Sequence, residues 1–248
     1  IPDNWWTIFY KDCLRDFDEA RKLIPTDVKD PATQQNELAI VDIQQVYIYQ
    51  ILVNTFGDIP YTSALDASIL FPPYDDAATI YDDLLSRLDA DIAALDPDAG
   101  TFNDGADLIY NGDINKWKKF VYGILARSYI DLSYKTIFTA NHYADSAIKY
   151  ANLAMTTNAD NATVKVAGGP ISALNNYWGP FRANFGTYRQ GDYVARLMNG
   201  DDTTAFAGIT DPRSWYMLSE NLNGTFKGLL PWAGNSTMSN DYPKNFWR

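Results

Sequence analysis

The sequence is short of the residues from which most catalytic centres are assembled. Its 248 residues include one Cys, Cys13, and one His, His142. A single cysteine excludes an internal disulfide and any zinc site built on several thiolates, and a single histidine excludes a His-rich metal site. Basic residues are also scarce: 20 Lys and Arg face 31 Asp and Glu, for a net charge of −11. A surface of that sign repels a phosphate backbone, so a nucleic-acid partner is not expected. No Walker A loop, Gly-x-Gly-x-x-Gly turn or Gly-x-Ser-x-Gly elbow occurs. A nucleotide cofactor and a serine nucleophile therefore lack a motif, and neither cofactor nor metal is expected. There is no run of 18 apolar residues and no signal-peptide pattern. The chain begins at Ile1 rather than Met and reads as a piece of something longer.

Aromatic residues are what the sequence has in quantity: 7 Trp, 17 Tyr and 12 Phe, 15% of the chain. Most large rings belong in a core, while a ring on a loop either pins that loop or faces a ligand. Gly and Pro are unevenly placed. Residues 1–160 hold 5 of the 15 Gly and 7 of the 12 Pro, and the remaining 88 residues hold 10 and 5. The first part reads as a helical scaffold over 1–160, the second as a loop-rich segment over 161–248.

Periodicity predicts five helices. Over 80–95, Tyr81, Leu84, Leu85, Leu88, Ile92 and Leu95 draw one apolar stripe, with Arg87, Asp89 and Asp91 largely off it. Asp75-Asp76 precede it, and Asp96-Pro97 ends it. A second helix over 38–56 is apolar on several faces, with Gly57 and Pro60 closing it. A third covers 114–133 behind an Asp113 N-cap. A fourth, 143–155, carries Ala147, Ala151 and Ala154 as small residues for a close neighbour. The opening stretch, 5–23, is expected to be helical and to end before Pro25. The fold class that follows is mainly α, an irregular superhelix of tetratricopeptide-like helix pairs with a loop-rich segment.

Few residues offer themselves for chemistry. His142 sits at a helix start without a nucleophile motif and reads as a loop or capping residue. Cys13 reads as a small apolar group. With 31 acids, no pair is marked out as a glycosidase dyad, and most read as solvated faces or caps. The stretch 103–107 lacks the rest of a calcium loop and reads as a turn. The better candidates are rings beside Gly and Pro breaks: Tyr177, Trp178 and Phe181 around Gly179-Pro180, and Trp232 beside Pro231. They are taken as ligand-binding candidates on loop context alone.

Several segments, in order, resemble the SusD/RagB family of outer-membrane nutrient-binding lipoproteins of Bacteroidetes. Phe56-Gly57-Asp58-Ile59-Pro60 is similar to its FGD(V/I)P helix end, and Ile80-Tyr81-Asp82-Asp83-Leu84 to the start of its IYDxIxxDL helix. Gly112-Asp113 followed by Trp117-Lys118-Lys119-Phe120 resembles the starch-binding-associated SusD-like subgroup. Tyr143-Ala144-Asp145-Ser146-Ala147-Ile148, then Asp211-Pro212-Arg213 and Gly224-Thr225-Phe226-Lys227-Gly228, continue the match. The resemblance implies a non-catalytic protein on the outer face of the outer membrane, with its ligand contacts in the loop-rich segment. It would capture oligosaccharides, or in some cases peptides, for import through a TonB-dependent SusC-like transporter. It also implies a longer chain: a lipid anchor on an acylated cysteine that is not Cys13, and a further C-terminal part. Two other readings stay open, a glycoside hydrolase on an all-α scaffold and a tetratricopeptide-like protein-binding scaffold.

Overall fold

A computed structural model describes residues 2–102, 105–166, 189–201 and 203–233. It divides into two compact units, Ile1–Lys165 and Val166–Arg248.

The first unit is helical. Helix α1 (Pro2–Thr7) runs through a π-helical stretch, Ile8–Leu14, into α2 (Arg15–Asp27). Then follow α3 (Pro31–Phe56), α4 (Ala77–Ala94), α5 (Ile114–Asp131), α6 (Thr136–Ala140) and α7 (Tyr143–Leu153). Helix α3 packs on α4 and α5 on α7, the pairs being joined through α4 and α5. This is the tetratricopeptide-like arrangement of paired helices. Among the described residues there is no strand, only isolated bridges. No described helix is long and apolar enough to cross a membrane.

The sequence explains the helix starts. Asp30, Asp76 and Asp113 each cap a helix, their carboxylates accepting the N–H of Thr33, Thr79 and Lys116. Pro31 sits in the first turn of α3, where its missing N–H costs nothing. The Ile80, Leu84, Leu88 stripe of α4 meets Ile40, Ile43 and Leu52 of α3 in one core with Val121 and Leu125 of α5. Gly57 closes α3 at φ 79°, a conformation that a side chain resists.

Four expectations need correction. Helix α2 continues through Pro25 to Asp27. The proline lies in the last turn, where it removes a single ladder bond; Val28 N–H still reaches Ile24 O, and Thr26 Oγ1 donates to Leu23 O. Helix α3 begins seven residues earlier than its apolar pattern, at Pro31. The polar early turns are held because Asn36, fully buried, donates to Asp96 O and Gly100 O and accepts from Asp96 N–H. In α7, Ala147 is buried but Ala151 is exposed; the close approach is instead at Gly123, which faces Ala154 and Met155. Finally, Asp42, Asp91, Asp107 and Asp160 are buried rather than solvated.

Two of these acids organise their surroundings. The Asp107 carboxylate accepts the N–H groups of Ile109, Tyr110 and Gly112 and the Trp117 Nε1–H at 2.7 Å. It therefore fixes the turn before α5 and the largest ring of the core together. Asp160 accepts Lys119 Nζ at 2.8 Å and the N–H groups of Thr156 and Thr157. The Lys119 bond leads in holding its carboxyl down at about 2.

Among its described residues the second unit has two short helices, α8 (Asp192–Asn199) and α9 (Ser214–Met217). Its described core is Ala195, Met198 and Leu218. Loops around it are tied by Gln190, which is buried. Its Nε2 donates to Ser219 O and Lys227 O, and its Oε1 accepts Ser219 N–H. Gly228 lies so close to the Gly191 backbone that a Cβ would sit 2.3 Å from it.

Candidate functional site

In the first unit the chain between α3 and α4 makes a closed loop. Ile59 and Asp75 exchange both backbone hydrogen bonds, at 3.3 and 2.9 Å, which brings the ends of residues 60–74 together. Asp75 then accepts the N–H groups of Tyr61 and Thr62 and the Thr62 hydroxyl. With its base so fixed, the loop places Tyr61, Thr62, Leu65 and Asp66 along one wall of a cavity of about 640 Å³. The returning arm of the same loop is Leu70-Phe71-Pro72-Pro73-Tyr74, with Leu70, Phe71 and Tyr74 exposed, Phe71 at 86%.

Four basic residues line the same cavity, with Asp18 among them. Arg15, Arg21 and Lys22 come from α2, and Arg87 from α4. Arg87 is the best ordered of them by its bonds: Nε and Nη2 fork onto Asp42 at 3.0 and 2.7 Å, and Nη1 donates to the Tyr61 hydroxyl at 2.6 Å. Tyr61 passes its own proton bond to Asp83. Burial alone would lower the Arg87 pKa, but the bonds to Asp42 and Tyr61 raise it, so the guanidinium stays charged. Burial pushes Tyr61 up and Tyr49 up to about 12, so both phenols are neutral donors. Gln45 completes the floor, its Oε1 accepting from Arg21. Hydroxyl, amide, guanidinium and carboxylate groups thus face an open space large enough for a small oligosaccharide segment.

The second unit holds a different cavity, about 550 Å³ and mostly apolar. Leu197, Met198, Phe206 and Ile209 line it beside the Asp211-Pro212-Arg213 turn. Arg213 folds back on Asp211, with Nη2 at 2.6 Å, and pulls that carboxyl down to about 2. Trp215, Tyr216 and Trp232 are exposed in this unit.

Of the ring candidates from sequence, Trp232 is 79% exposed on the turn after Leu230. Tyr177, Trp178 and Phe181 lie outside the described residues. His142 is exposed in the left-handed region at the start of α7 and makes no capping bond with its side chain. Cys13 is partly buried and packs on the core. Sequence reasoning missed the exposed loop rings Phe71 and Tyr74 and the Arg21, Asp42, Arg87 node. The Pro72-Pro73 pair flanked by rings was a usable signal for those rings. Among the described residues no cluster of three or more His, Cys, Asp or Glu is gathered for a metal.

A family model for SusD-like proteins, described as starch-binding and associating with the outer membrane, matches residues 1–243. No curated protein matches the chain. Among solved structures, a chitin-binding protein is 28% identical over 64% of this chain and 33% of its own, with a TM-score of 0.54. A SusD homolog from Parabacteroides distasonis superposes over 98% of this chain and 52% of its own, at 23% identity and a TM-score of 0.73. A SusD-like protein from Bacteroides thetaiotaomicron does so over 92% and 44%, at 22% identity and 0.66. The chain spans about a third to a half of the length of these structures.

Proposed function

The chain belongs to the SusD-like family of the SusD/RagB group, and from that premise we propose that it is part of a non-catalytic surface protein that captures carbohydrate. The observation that carries the reading is the family match across residues 1–243, together with a fold of paired helices shared with SusD homologs. The helical unit serves as scaffold, and the loop-rich segment over 161–248, with the 60–74 loop, presents side chains to ligand. Exposed rings at Phe71, Tyr74, Trp215 and Trp232 offer flat apolar faces against which the C–H face of a sugar packs. In the first unit's cavity, arginine, amide and hydroxyl groups bond to sugar hydroxyls. Tyr177, Trp178 and Phe181 belong to the same proposal. Capture is the first half of a transfer: a SusC-like TonB-dependent transporter takes the ligand inward, and a lipid anchor outside this chain holds the protein at the outer face.

The test uses the full-length protein in native gels cast with a panel of polysaccharides, each also assayed for new reducing ends. Retardation by at least one glycan without release supports capture. Absence of retardation across the panel counts against it and favours a peptide ligand, and release of reducing ends overturns the non-catalytic reading.

A further inference from the structure

The cation-lined cavity carries a charge imbalance that bears on which sugars it takes. Two guanidiniums, Arg21 and Arg87, converge on one carboxylate, Asp42. Arg87 is spent on that contact and on Tyr61. Arg21 is not. Its Nη1 is engaged by Asp42 and Gln45, while its Nε and Nη2 edge has no partner among the described residues, and the side chain is 44% exposed. Arg15 and Lys22 beside it are held by Asp18 and Glu19. A second carboxyl near the node, Asp91, is 7% exposed and leaves Oδ2 buried without a hydrogen-bond partner. Burial, and then the neighbouring Asp42 charge, push the Asp91 carboxyl up, which weakens it as a second negative charge beside the two guanidiniums. Arg21 lines both the cavity of about 640 Å³ and a second of about 540 Å³ on the Asp91 side. At Asp42 two guanidiniums thus meet one carboxylate, and one of them, Arg21, lines the space a ligand enters.

We propose that this cavity binds the carboxylate of an acidic glycan, a chain containing uronic acid, on the free Nε and Nη2 edge of Arg21. The inference rests on the carbohydrate-capture reading and narrows its substrate class. A carboxylate is favoured over a sulfate ester because two parallel N–H groups in one plane match its two oxygens. Thr62, Asp66 and the Gln45 amide are placed on the same walls to take hydroxyls of the adjoining sugar. The acidic chain as a whole repels such a ligand, so recognition is local to this wall and weakens as salt screens it.

The experiment is titration calorimetry of the full-length protein with oligosaccharides of galacturonate, of alginate and of glucuronate, each against its carboxyl-reduced form. At least one acidic form is expected to bind about tenfold more tightly than its reduced counterpart. Arg21→Gln is expected to abolish that preference, weakening the acidic form about tenfold more than the reduced form. Should Arg21→Gln melt early, Arg21→Lys decides the matter, because it keeps the charge next to Asp42 and removes the fork; full retention of the preference by that variant overturns the assignment. Tighter binding of a uronate-free carrageenan oligosaccharide overturns the carboxylate in favour of sulfate. If neutral glycans bind and no acidic form is preferred, this inference falls and carbohydrate capture stands. If no glycan of either kind binds, both fall.

Discussion

Trp117 and Trp232 mark how differently the two units use their rings. Trp117 is 1% exposed, meets Tyr110 and Phe120 edge-on at 5.2 and 5.7 Å, and has its one polar atom satisfied by Asp107. Trp232 is 79% exposed on a two-residue turn. The first unit gathers a core from every long helix, and its buried polar groups are anchored in that core. The second has three core residues among those described and depends on backbone bonds to Gln190. Burial area gives the first unit a fixed geometry, whereas the loops of the second keep their shape through a few polar links. Rings turned outward on such loops are free to meet a ligand, and rings turned inward in the helices position the surfaces they stand behind.

The sharpest way to break this contrast is at Trp117. Trp117→Ala is expected to cost about 3–5 kcal/mol in chemical denaturation, from the lost ring and the cavity it leaves. Trp117→Phe retains most of the packing but removes one hydrogen bond to the Asp107 carboxylate, whose Oδ2 keeps only Gly112 N–H, and is expected to cost about 1–3 kcal/mol. A loss below about 1 kcal/mol for the alanine variant would mean that the helical core does not rest on this ring.

The second unit has its equivalent in Gln190. Gln190→Ala removes the bonds that Ser219 O, Lys227 O and Ser219 N–H make to this side chain. The expected loss is about 1–3 kcal/mol. It should be confined to the second unit: amide exchange at Ser219 accelerates, while amides of α3 and α5 keep their protection. Equal acceleration in α3 would show that the two units do not differ in what holds them.

These anchors were unequally legible from sequence. The α4 and α5 helices were plain because each carries one apolar stripe behind an aspartate cap. The start of α3 was hidden because residues 32–37 are mostly polar and are fixed by Asn36 reaching across to residues 96 and 100. Asp30-Pro31 was the overlooked start signal. The cation-lined cavity was not legible at all. Asp42, Tyr61 and Arg87 meet from three separate segments, and Arg87 looks like any residue on the polar side of a helix until its partner 45 residues away is placed. Trp232 was readable as a loop ring from its Pro and Gly neighbours, because such breaks stop a chain from burying itself in a helix.

Asp91 tests the buried polar side of the first unit with the opposite sign. Its folded pKa, about 8, lies above the usual carboxylate value. A group raised in this way supports folding below its unfolded pKa, near 4, and that support drains away as pH rises toward 8. Asp91→Asn removes the dependence. The variant is expected to match the native protein near pH 4 and to exceed it by several kcal/mol at pH 8, since each pH unit between the two pKa values takes about 1.4 kcal/mol from the native protein. A parallel pair of stability curves between those pH values would show that Asp91 is ionised in the fold and that the node already holds its second anion. That result would also remove the imbalance on which the acidic-glycan inference draws.

The smallest effect on stability is expected where the ring is most exposed. Trp232→Ala should change unfolding free energy by no more than about 0.5 kcal/mol, because the ring covers little of the unit it stands on. Its effect on a bound glycan should be larger than its effect on folding. Stacking of an aromatic ring on a flat ligand is worth about 1–3 kcal/mol where it has been measured on nucleic-acid bases, and a sugar face that packs the same ring should lose affinity several-fold. The dissociation of the two readouts is the point of the measurement. A stability loss above about 2 kcal/mol would show that Trp232 pins its loop as Trp117 pins its helix. Unchanged stability with unchanged glycan affinity would leave Trp232 outside the contact surface and shift ligand recognition in the described residues to the closed loop at Phe71 and Tyr74. The same pair of measurements on Phe71→Ala then decides whether the helical unit is scaffold alone or contributes a ring of its own.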